Sequence, residues 1–436
     1  AASSSTPVCP PATSSDGSVQ DVKDDATQER ILEAEVQHWC LMGQADRAWE
    51  RFLDMRILWR AAQGRRNRRP GCDFKAFNAP YQRAFACVRG VLGPAQLAAL
   101  PERKWVDIPG IGEDSNGGTI PLRAFTLNVL SEHLNNLFSF QFAILPPGGG
   151  DFLPWALRSR LVVQEIMRWR PQLAALQEVD DIIYESLSKD LAASAGLAAL
   201  PFVLRNPNPR GDGVCILFDP RLLRPVPGSH MFRYLVHGPT GSQTPGGVVA
   251  AAAFDLVVEG KPSGHRLAVG TAHVNPSPSA KEALETGIEP SNGEEFGTDA
   301  AMAAQLIALL DDLSRFCGGV TVRLLLGDLN GATEPGSATL TEAGMLSAYT
   351  AAGEAAMEDW HGAVVTSHND IFHWGGELDM VLCSGAEVRR VLQIPSHPRL
   401  LPGPRSREHA HTSLPMAGWP SDHMSLVADL LLEEAT

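Results

Sequence analysis

Eight short apolar runs, separated by turn residues, dominate the chain from Ile120 onward and limit the folds that it can adopt. Each run is bounded by Gly, Pro, Asn or Asp, which is typical of buried β-strands. Because such strands must be covered on both faces, eight of them require two packed sheets. The runs are Arg123–Leu130, Leu173–Val179, Gly213–Asp219, Val248–Val258, His265–Val274, Thr321–Asn330, Leu378–Ser384 and Met424–Leu432.

Helical patterns fall between some of these runs, at Ala156–Trp169, Ile182–Ala195 and Asp299–Phe316. Strands interleaved with helices predict an α/β fold, and we assign residues 119–434 to one layered domain. No stretch approaches the ~18 apolar residues of a transmembrane helix, since the longest apolar run is interrupted by Asp255. We therefore expect no membrane partner.

The residues before this domain have a different composition. Residues 1–25 are rich in Ser, Pro and Asp and lack an apolar signal-peptide core, so we expect a disordered leader rather than a secretory signal. Apolar residues then recur at helical spacing, which predicts a helical appendage over residues 26–110. Within it, segments 43–55 and 69–79 resemble degenerate pentatricopeptide repeats, and a plain helical cap is the alternative interpretation.

Charge also separates the two parts of the chain. There are 36 Lys and Arg against 50 Asp and Glu, a net charge of −14, which argues against binding duplex nucleic acid by bulk electrostatics. Residues 51–110 contain 12 basic and four acidic residues, a net charge of +8, so the remainder carries −22. The basic appendage could contact single-stranded RNA, or its arginines could pair with the acidic domain.

The seven cysteines indicate a reducing compartment and no structural zinc. Their number is odd, no two form a CxxC pair, and no histidines cluster at zinc spacing. We expect an intracellular protein, in the cytoplasm or in an organelle such as a mitochondrion or chloroplast, that is not secreted. The sequence identifies no protein partner.

Polar side chains stand at the ends of successive predicted strands. One such residue is usually a cap or a turn residue, but here the arrangement recurs along the chain. Burying so many carboxylates in one cleft is destabilising unless a cation is present, and oxygen ligands suit Mg²⁺ or Mn²⁺ rather than Zn²⁺. The residues are Asn128, Glu178, His273, Asp328, Asn330, Asp379, Asp422 and His423.

In its order and spacing, this series resembles the endonuclease/exonuclease/phosphatase superfamily. The surrounding motifs are similar to the deadenylase branch, which comprises nocturnin-like and carbon-catabolite-repressor-type enzymes. The resemblance implies a four-layer α/β sandwich, with two packed mixed β-sheets flanked by helices, to which this chain adds a helical N-terminal appendage. The motifs are Thr126-Leu-Asn-Val-Leu130, Leu176-Gln-Glu-Val-Asp180, Asp212–Phe218 and Trp419–Val427.

The resemblance also implies roles around a divalent metal. Glu178 would be the principal metal carboxylate, Asn128 would help to hold the ion or the scissile phosphate, and Asp422 would complete a second metal position. Asp328 would orient or deprotonate the attacking water. Asn330 would donate a hydrogen bond to the transition state.

Further residues are expected to act on the phosphate and the leaving group. His423 would serve as acid and base or as a phosphate donor, with Asp379 fixing its tautomer. His273 would donate to a non-bridging phosphate oxygen. The residues expected to bind the rest of the substrate are Arg205 and, by stacking on a base, Trp374 and Trp419.

The sequence therefore predicts a Mg²⁺-dependent phosphodiesterase, a 3′-to-5′ exoribonuclease of the deadenylase type that acts on single-stranded RNA, with poly(A) as one candidate substrate. One alternative is a phosphatase or phosphodiesterase of a small nucleotide such as NADP(H). Nocturnin-like enzymes hold a second phosphate with basic residues directly after the histidine, whereas here no Lys or Arg follows His273 until Lys281. The other alternative, a catalytically inactive RNA-binding scaffold, gives no physical reason for the intact site residues.

Overall fold

The structure is a computed structural model, and every structural statement below refers to the residues that it describes. The predicted leader before residue 17 lies outside them. The described residues are 17–44, 47–48, 51, 54–55, 83–84, 87, 102–109, 119–132, 155–205, 211–236, 245–275, 298–332, 334–357, 367–369, 374–376, 378–395, 421 and 423–433.

The chain divides into two compact units. The first comprises residues 1–96 with 139–144, and the second comprises residues 97–138 with 145–436. No helix among the described residues is both long and apolar enough to cross a membrane.

The first unit contains helix α1 (Gly17–Leu41). On this helix, the buried carboxylate of Glu33 accepts hydrogen bonds from Arg83 Nε and Nη2 at 2.6 and 3.0 Å. The helix includes residues 17–25, which the sequence assigns to the leader, and this stretch contains no proline that would end a helix. Most of the two pentatricopeptide-like segments lies outside the described residues.

The second unit contains all the strands that the structure describes, together with five α-helices whose bounds are given below. The strands are β1 (Trp105–Asp107), β2 (Thr119–Asn128), β3 (Leu173–Val179), β4 (Ala198–Ala199), β5 (Val203–Leu204), β6 (Gly213–Phe218), β7 (Leu223–Pro225), β8 (Met231–Val236), β9 (Pro245–Val258), β10 (Lys261–Val274), β11 (Val320–Asp328), β12 (Leu346–Ser347), β13 (Ser367–Asn369), β14 (Trp374–Gly376), β15 (Asp379–Ser384), β16 (Glu387–Leu392) and β17 (Leu426–Glu433). The helices are α2 (Trp155–Trp169), α3 (Asp181–Ala195), α4 (Ala300–Cys317), α5 (Glu334–Glu342) and α6 (Ala348–Ala352), with a 3₁₀ turn at Gly353–Ala356.

These strands form two large mixed sheets and one small hairpin. Sheet 1 has the order β1-β16-β17-β2-β3-β6-β4, with β5 also paired to β6, and sheet 2 has the order β12-β15-β11-β10-β9-β7, with β8 also paired to β9. One parallel pair lies inside each large sheet, β2 with β3 and β10 with β11. The hairpin is β13 with β14.

Apolar side chains fill three successive interfaces. Between the sheets, residues such as Leu122 of sheet 1 pack with Phe254 and Leu324 of sheet 2. Helices α2 and α3 cover the outer face of sheet 1, and α4 and α5 cover the outer face of sheet 2. The second unit is therefore the four-layer α/β sandwich that the sequence predicts.

All eight predicted strands are present, together with short edge strands that the sequence analysis missed. The clearest example is β8, which pairs only with β9 among the described strands. Its first four residues alternate between partly buried and exposed, and both exposed residues, Phe232 and Tyr234, are aromatic. An edge strand with exposed aromatic residues gives no contrast between an apolar face and a polar face, so periodicity does not reveal it.

Two free thiols lie within the sheets. Cys215 is on β6 of sheet 1 and Cys383 is on β15 of sheet 2, and both are buried. Burial raises the pKa of Cys215 to about 12 and that of Cys383 to about 11. At neutral pH these cysteines therefore act as small apolar core residues.

A buried carboxylate ties three strands of sheet 1 together. Asp429 on β17 accepts two hydrogen bonds from Arg123 on β2, at 2.6 and 2.9 Å, and one from Arg390 on β16, at 2.7 Å. Both guanidinium groups also lie over the ring of Trp105, 4.6 and 4.5 Å from its centroid. Burial alone would raise the pKa of Asp429, but the hydrogen bonds and charges of the two arginines lower it.

We expect Asp429→Asn to reduce the free energy of unfolding at pH 7 by about 1–3 kcal/mol, because it removes charge-assisted hydrogen bonds to two arginines. The folded-state pKa is lower than the unfolded-state value, so this stabilisation is complete above about pH 4 and is lost as the pH falls through the folded-state pKa. Urea unfolding followed by circular dichroism between pH 7 and pH 3 measures the difference.

The matched control is Asp255→Asn on β9, whose half-exposed carboxylate pairs with Arg266. Such a pair contributes only about 0–1 kcal/mol. A loss for Asp429→Asn that stayed constant down to pH 3 would contradict the assigned ionisation.

Candidate active site

Strand ends from both sheets meet at one edge of the sandwich. Asn128 ends β2 in sheet 1, and Asp328 ends β11 in sheet 2. Asp328 is paired with His273 on the parallel strand β10 and with Asp379 on the antiparallel strand β15. The register therefore places these three side chains in one row across sheet 2, facing Asn128.

The carboxamide of Asn128 joins the two sheets. Its Nδ2 donates to Glu178 Oε1 at 3.0 Å and to Asp328 Oδ2 at 2.9 Å. Its Oδ1 accepts a hydrogen bond from the Leu130 amide at 3.0 Å. The structure thus directs the amide N–H groups of Asn128, rather than its oxygen, at the carboxylates.

Glu178 stands in an unusual backbone conformation. Its φ is +55°, in the left-handed region, and the register between β3 and β6 shifts between Gln177 and Val179. A bulge of this kind redirects a side chain at a cost of about 1–2 kcal/mol, and it is common beside active sites. Here it directs Glu178 Oε2 to the Ser131 amide, 2.9 Å away.

Two buried polar side chains, Arg158 and Gln177, form hydrogen bonds that stabilise this edge. Arg158 on α2, whose side chain is fully buried, donates to the carbonyl oxygens of Val129 and Leu130 at 2.5 and 2.7 Å. Gln177 Nε2 donates to Thr126 Oγ1 in sheet 1 at 3.1 Å and to Thr271 Oγ1 in sheet 2 at 3.0 Å. Together these bonds fix the turn that follows β2 and the separation of the sheets. Arg158 could not be recognised from the sequence, because a single arginine on an amphipathic helix is normally a surface residue.

A histidine and an aspartate form a second hydrogen-bonded pair. His423 Nδ1 lies 2.8 Å from Asp379 Oδ2, and both residues are buried. The aspartate holds the ring proton on Nδ1, so Nε2 faces Asn128 Nδ2 at 3.5 Å and Asp328 Oδ2 at 3.7 Å. The ring therefore presents Nε2 to the centre of the carboxylate cluster.

A third group surrounds His273. Arg205 Nη1 lies 3.0 Å from His273 Nε2 and 3.4 Å from His273 Nδ1, so the guanidinium group contacts both ring nitrogens. His273 Nδ1 also lies 3.3 Å from Asp212 Oδ2, and Nε2 lies 3.6 Å from Asp328 Oδ2. Arg205 Nη2 also donates to Asp212 Oδ1 at 2.8 Å.

The carboxylate of Asp212 supplies the negative charge that compensates the positive charge of Arg205. Burial alone would raise its pKa, but the contact with His273 and the charge of Arg205 lower it to about 2. Arg205 Nε is buried and has no hydrogen-bond partner among the described residues. Arg205 thus keeps one donor for a further acceptor.

Asp328 depends on a close approach between two strands. Gly327 has φ +149°, and a Cβ atom there would lie 2.2 Å from the carbonyl oxygen of Ala272 on β10. Beyond it, Asn330 has φ +50°; its backbone amide donates to Asp328 Oδ1 at 2.9 Å and its Nδ2 donates to the Val274 carbonyl oxygen at 2.6 Å. Both carboxylate oxygens of Asp328 are therefore held.

The donor set fits a hard divalent cation. One carboxylate oxygen each from Asp328 and Asp379 and one ring nitrogen of His423 lie within 4.8 Å of one another, and all three residues are buried. The Glu178 carboxylate lies beside this group, because Asn128 Nδ2 donates both to Glu178 Oε1 and to Asp328 Oδ2. Several buried carboxylates in one cleft are stabilised by a cation, and carboxylate oxygens favour Mg²⁺ or Mn²⁺.

Comparison with known proteins identifies the family. The sequence profile of the Endonuclease/Exonuclease/phosphatase family matches residues 125–423, which contain every described residue of the site. The chain belongs to this family. Endonuclease/exonuclease/phosphatase enzymes are hydrolases that act on phosphodiester bonds and generally use divalent metal ions.

Solved structures are similar to this chain at low sequence identity. ANGEL2, a 2′,3′-cyclic phosphatase solved in complex with adenosine-2′,3′-vanadate, is 14% identical with a TM-score of 0.54 and covers 77% of this chain and 100% of its own. The human nocturnin catalytic domain with bound sulfate is 18% identical with a TM-score of 0.49 and covers 76% of this chain and 96% of its own. No curated protein sequence matches the chain.

The structure brings most of the predicted site residues of this endonuclease/exonuclease/phosphatase domain together. Asp422 and Trp419 lie outside the described residues, and for Trp374 only the backbone, on β14, is described. Asp212 appeared in the sequence analysis only as part of a motif, without a role. The residues that meet at the edge are Asn128, Glu178, Arg205, His273, Asp328, Asn330, Asp379 and His423.

We expect Gly327→Ala to lower the free energy of unfolding by about 3 kcal/mol or more, because the new Cβ atom would overlap the Ala272 carbonyl oxygen. The control is Gly260→Ala, where φ is +79° but no atom lies within 4 Å of the added Cβ. That control should lose only the roughly 1–2 kcal/mol of a left-handed alanine. Equal losses in urea unfolding would show that β10 and β11 can move apart at Gly327.

Proposed function

We propose that the protein is a divalent-metal-dependent phosphodiesterase that degrades single-stranded RNA from its 3′ end. The observation that carries the proposal is the buried cluster at the sandwich edge, where Glu178, Asp328 and the His423–Asp379 pair converge around Asn128. Membership in a family of phosphodiester hydrolases supports the reaction class. Mg²⁺ or Mn²⁺ is the proposed cofactor.

Glu178 and Asp328 would hold the ion, with Asn128 keeping their oxygens in place and Asp422 adding a further carboxylate. Bound there, the ion would supply positive charge against the negative charge that develops on the phosphoryl oxygens. Both N–H groups of Asn128 donate to the carboxylates of Glu178 and Asp328, so the proposed role of Asn128 is to hold them in position around the ion.

Asp328 would orient the attacking water or accept its proton. The amide of Asn330 and the carboxamide of Asn128 each hold one of its oxygens, so the carboxylate is fixed in position before substrate binds. The Asn330 Nδ2 group has two hydrogens, one of which is directed at the Val274 carbonyl oxygen. The second is the proposed donor to the transition state.

His423 would exchange a proton with the leaving oxygen or donate to the phosphate. Asp379 holds Nδ1, so Nε2 is the atom that performs this role. On the opposite side, His273 and Arg205 would bind a non-bridging phosphate oxygen as a pair. The buried Nε of Arg205, which has no hydrogen-bond partner among the described residues, is the proposed arginine donor to that oxygen.

Two features favour RNA over a small nucleotide. Residues 51–110 carry a net charge of +8, which suits a long polyanion. No Lys or Arg directly follows His273, where a second phosphate of NADP(H) would need positive charge. Trp374 and Trp419 remain the proposed residues for stacking on bases.

The test is a product analysis with Mg²⁺ on 5′-labelled oligo(A), on a mixed-sequence RNA and on NADP. We expect stepwise shortening of both RNAs from the 3′ end, with release of nucleoside 5′-monophosphates. The matched inactive control is Glu178→Gln, which keeps the shape of the side chain and removes its charge. It should lose about 100-fold or more in kcat, since metal charge stabilisation is worth several kcal/mol.

Other outcomes of the same assay would replace the proposal. Phosphate release from NADP without RNA shortening would indicate a nucleotide phosphatase. RNA binding without any product would indicate a scaffold, and full activity of Glu178→Gln would remove Glu178 from the metal site.

We expect Asp379→Asn to lower kcat about 100-fold or more by disabling proton transfer at His423. The Mg²⁺ concentration for half-maximal activity should change little, and the pH profile of kcat should change shape. Asp255→Asn, a remote carboxylate change in the same sheet, is the control. An unaltered pH profile with a large rise in the Mg²⁺ requirement would place Asp379 among the metal ligands instead.

A further inference from the structure

Two aromatic rings are exposed side by side on strand β8. Phe232 is 55% exposed and Tyr234 is 45% exposed. Their ring centroids lie 5.7 Å apart, with the ring planes at 77° in an edge-to-face arrangement. Single exposed apolar residues are common on proteins, but a paired aromatic surface on an edge strand suggests a ligand.

Strand register connects this aromatic pair to the candidate active site. Tyr234 on β8 pairs with Val248 on β9, and Val248 pairs with His273 on β10. His273 in turn pairs with Asp328. Tyr234 therefore lies in the same row of sheet 2 as the catalytic side chains, two strands or roughly 10 Å from His273.

The aromatic pair projects from the same face of sheet 2 as His273. On β9, Val248 and Ala250 pack against Val203 and Val214 of sheet 1, whereas Val249 packs towards α4 on the outer face. Directly paired residues of antiparallel strands share a face, and Ala250 is paired with Phe232. Phe232 and Tyr234 thus extend the inner face of sheet 2 beyond the edge of sheet 1.

Arg205 lies between the aromatic pair and the candidate active site. It directly follows β5, whose Val203 packs on the β9 residues next to the aromatic pair. Its Nη1 contacts His273, and its buried Nε has no partner among the described residues. A guanidinium group followed by aromatic rings is the combination that binds single-stranded nucleic acid, because the cation binds the backbone and the rings stack on bases.

We propose that Phe232 and Tyr234 form a stacking platform for the base of a nucleotide next to the scissile phosphate, with Arg205 binding the intervening backbone. The occupant is a single-stranded RNA chain, and the inference rests on the proposed function of the site. It assigns substrate binding to a strand for which the sequence analysis predicted no role.

The test is a double-mutant cycle between protein and RNA. Oligoribonucleotides of mixed sequence are made with one abasic position in turn among the four nucleotides nearest the 3′ end. Wild type and the double variant Phe232→Ala/Tyr234→Ala are compared for kcat/KM with Mg²⁺ and for binding in EDTA by fluorescence anisotropy. At one abasic position, the wild type should lose about 5- to 100-fold, the value of one stacked base.

The double variant should show the same loss on the intact RNA and no further loss at that abasic position. Tyr234→Phe, which keeps the ring, should retain the binding of wild type, and Tyr234→Leu, which keeps apolar area without a ring, should not. Phe316→Ala removes an equally exposed phenylalanine, on α4, and should behave as wild type. Thermal melting checks that each variant is folded.

The outcomes separate the two proposals. Cleavage by the wild type with additive losses in the cycle would overturn the stacking platform and leave the proposed function intact. Binding without cleavage would overturn the nuclease activity, while a non-additive cycle measured by anisotropy would still support the platform. Neither cleavage nor binding of RNA would overturn both.

Discussion

The N–H groups of a single buried carboxamide hold together carboxylates that belong to different sheets. Asn128 donates to Glu178 in sheet 1 and to Asp328 in sheet 2, and each hydrogen bond to a charged group contributes about 1.5–3 kcal/mol. Without Asn128, two buried anions would face each other with less compensation. The Gln177 bridge to Thr271 fixes the spacing within which this geometry is possible.

Backbone strain is concentrated at the same edge. Glu178, Leu130 and Asn330 all have φ between +50° and +56°, and Gly327 brings β11 close to β10 just before Asp328. Strain of this kind persists only where surrounding structure determines it, and here the apolar layers on both sides of each sheet supply that constraint. The site is therefore formed by the fold before any ligand arrives, which is what electrostatic catalysis requires.

The main strands of both sheets and most of the polar residues at their ends could be predicted from the sequence, because apolar runs and the carboxylates that follow them are local patterns. Three features could not be predicted, because they depend on contacts between residues that are far apart in the sequence. The bulge at Glu178 arises from the β3–β6 register, Arg158 is buried only because the turn after β2 needs donors, and β8 is defined by its pairing with β9. The contact between Arg205 and His273 likewise appears only in three dimensions.

The reactivity of the two buried thiols reports how often the sandwich opens. Cys215 belongs to sheet 1 and Cys383 to sheet 2, and neither forms appreciable thiolate while buried. A thiol reagent consumes only the molecules in which that strand has become exposed, so each cysteine reports the opening equilibrium of its own sheet. The ratio of the two labelling rates then distinguishes a domain that unfolds as one cooperative unit from one whose sheets separate in sequence, without any introduced cysteine.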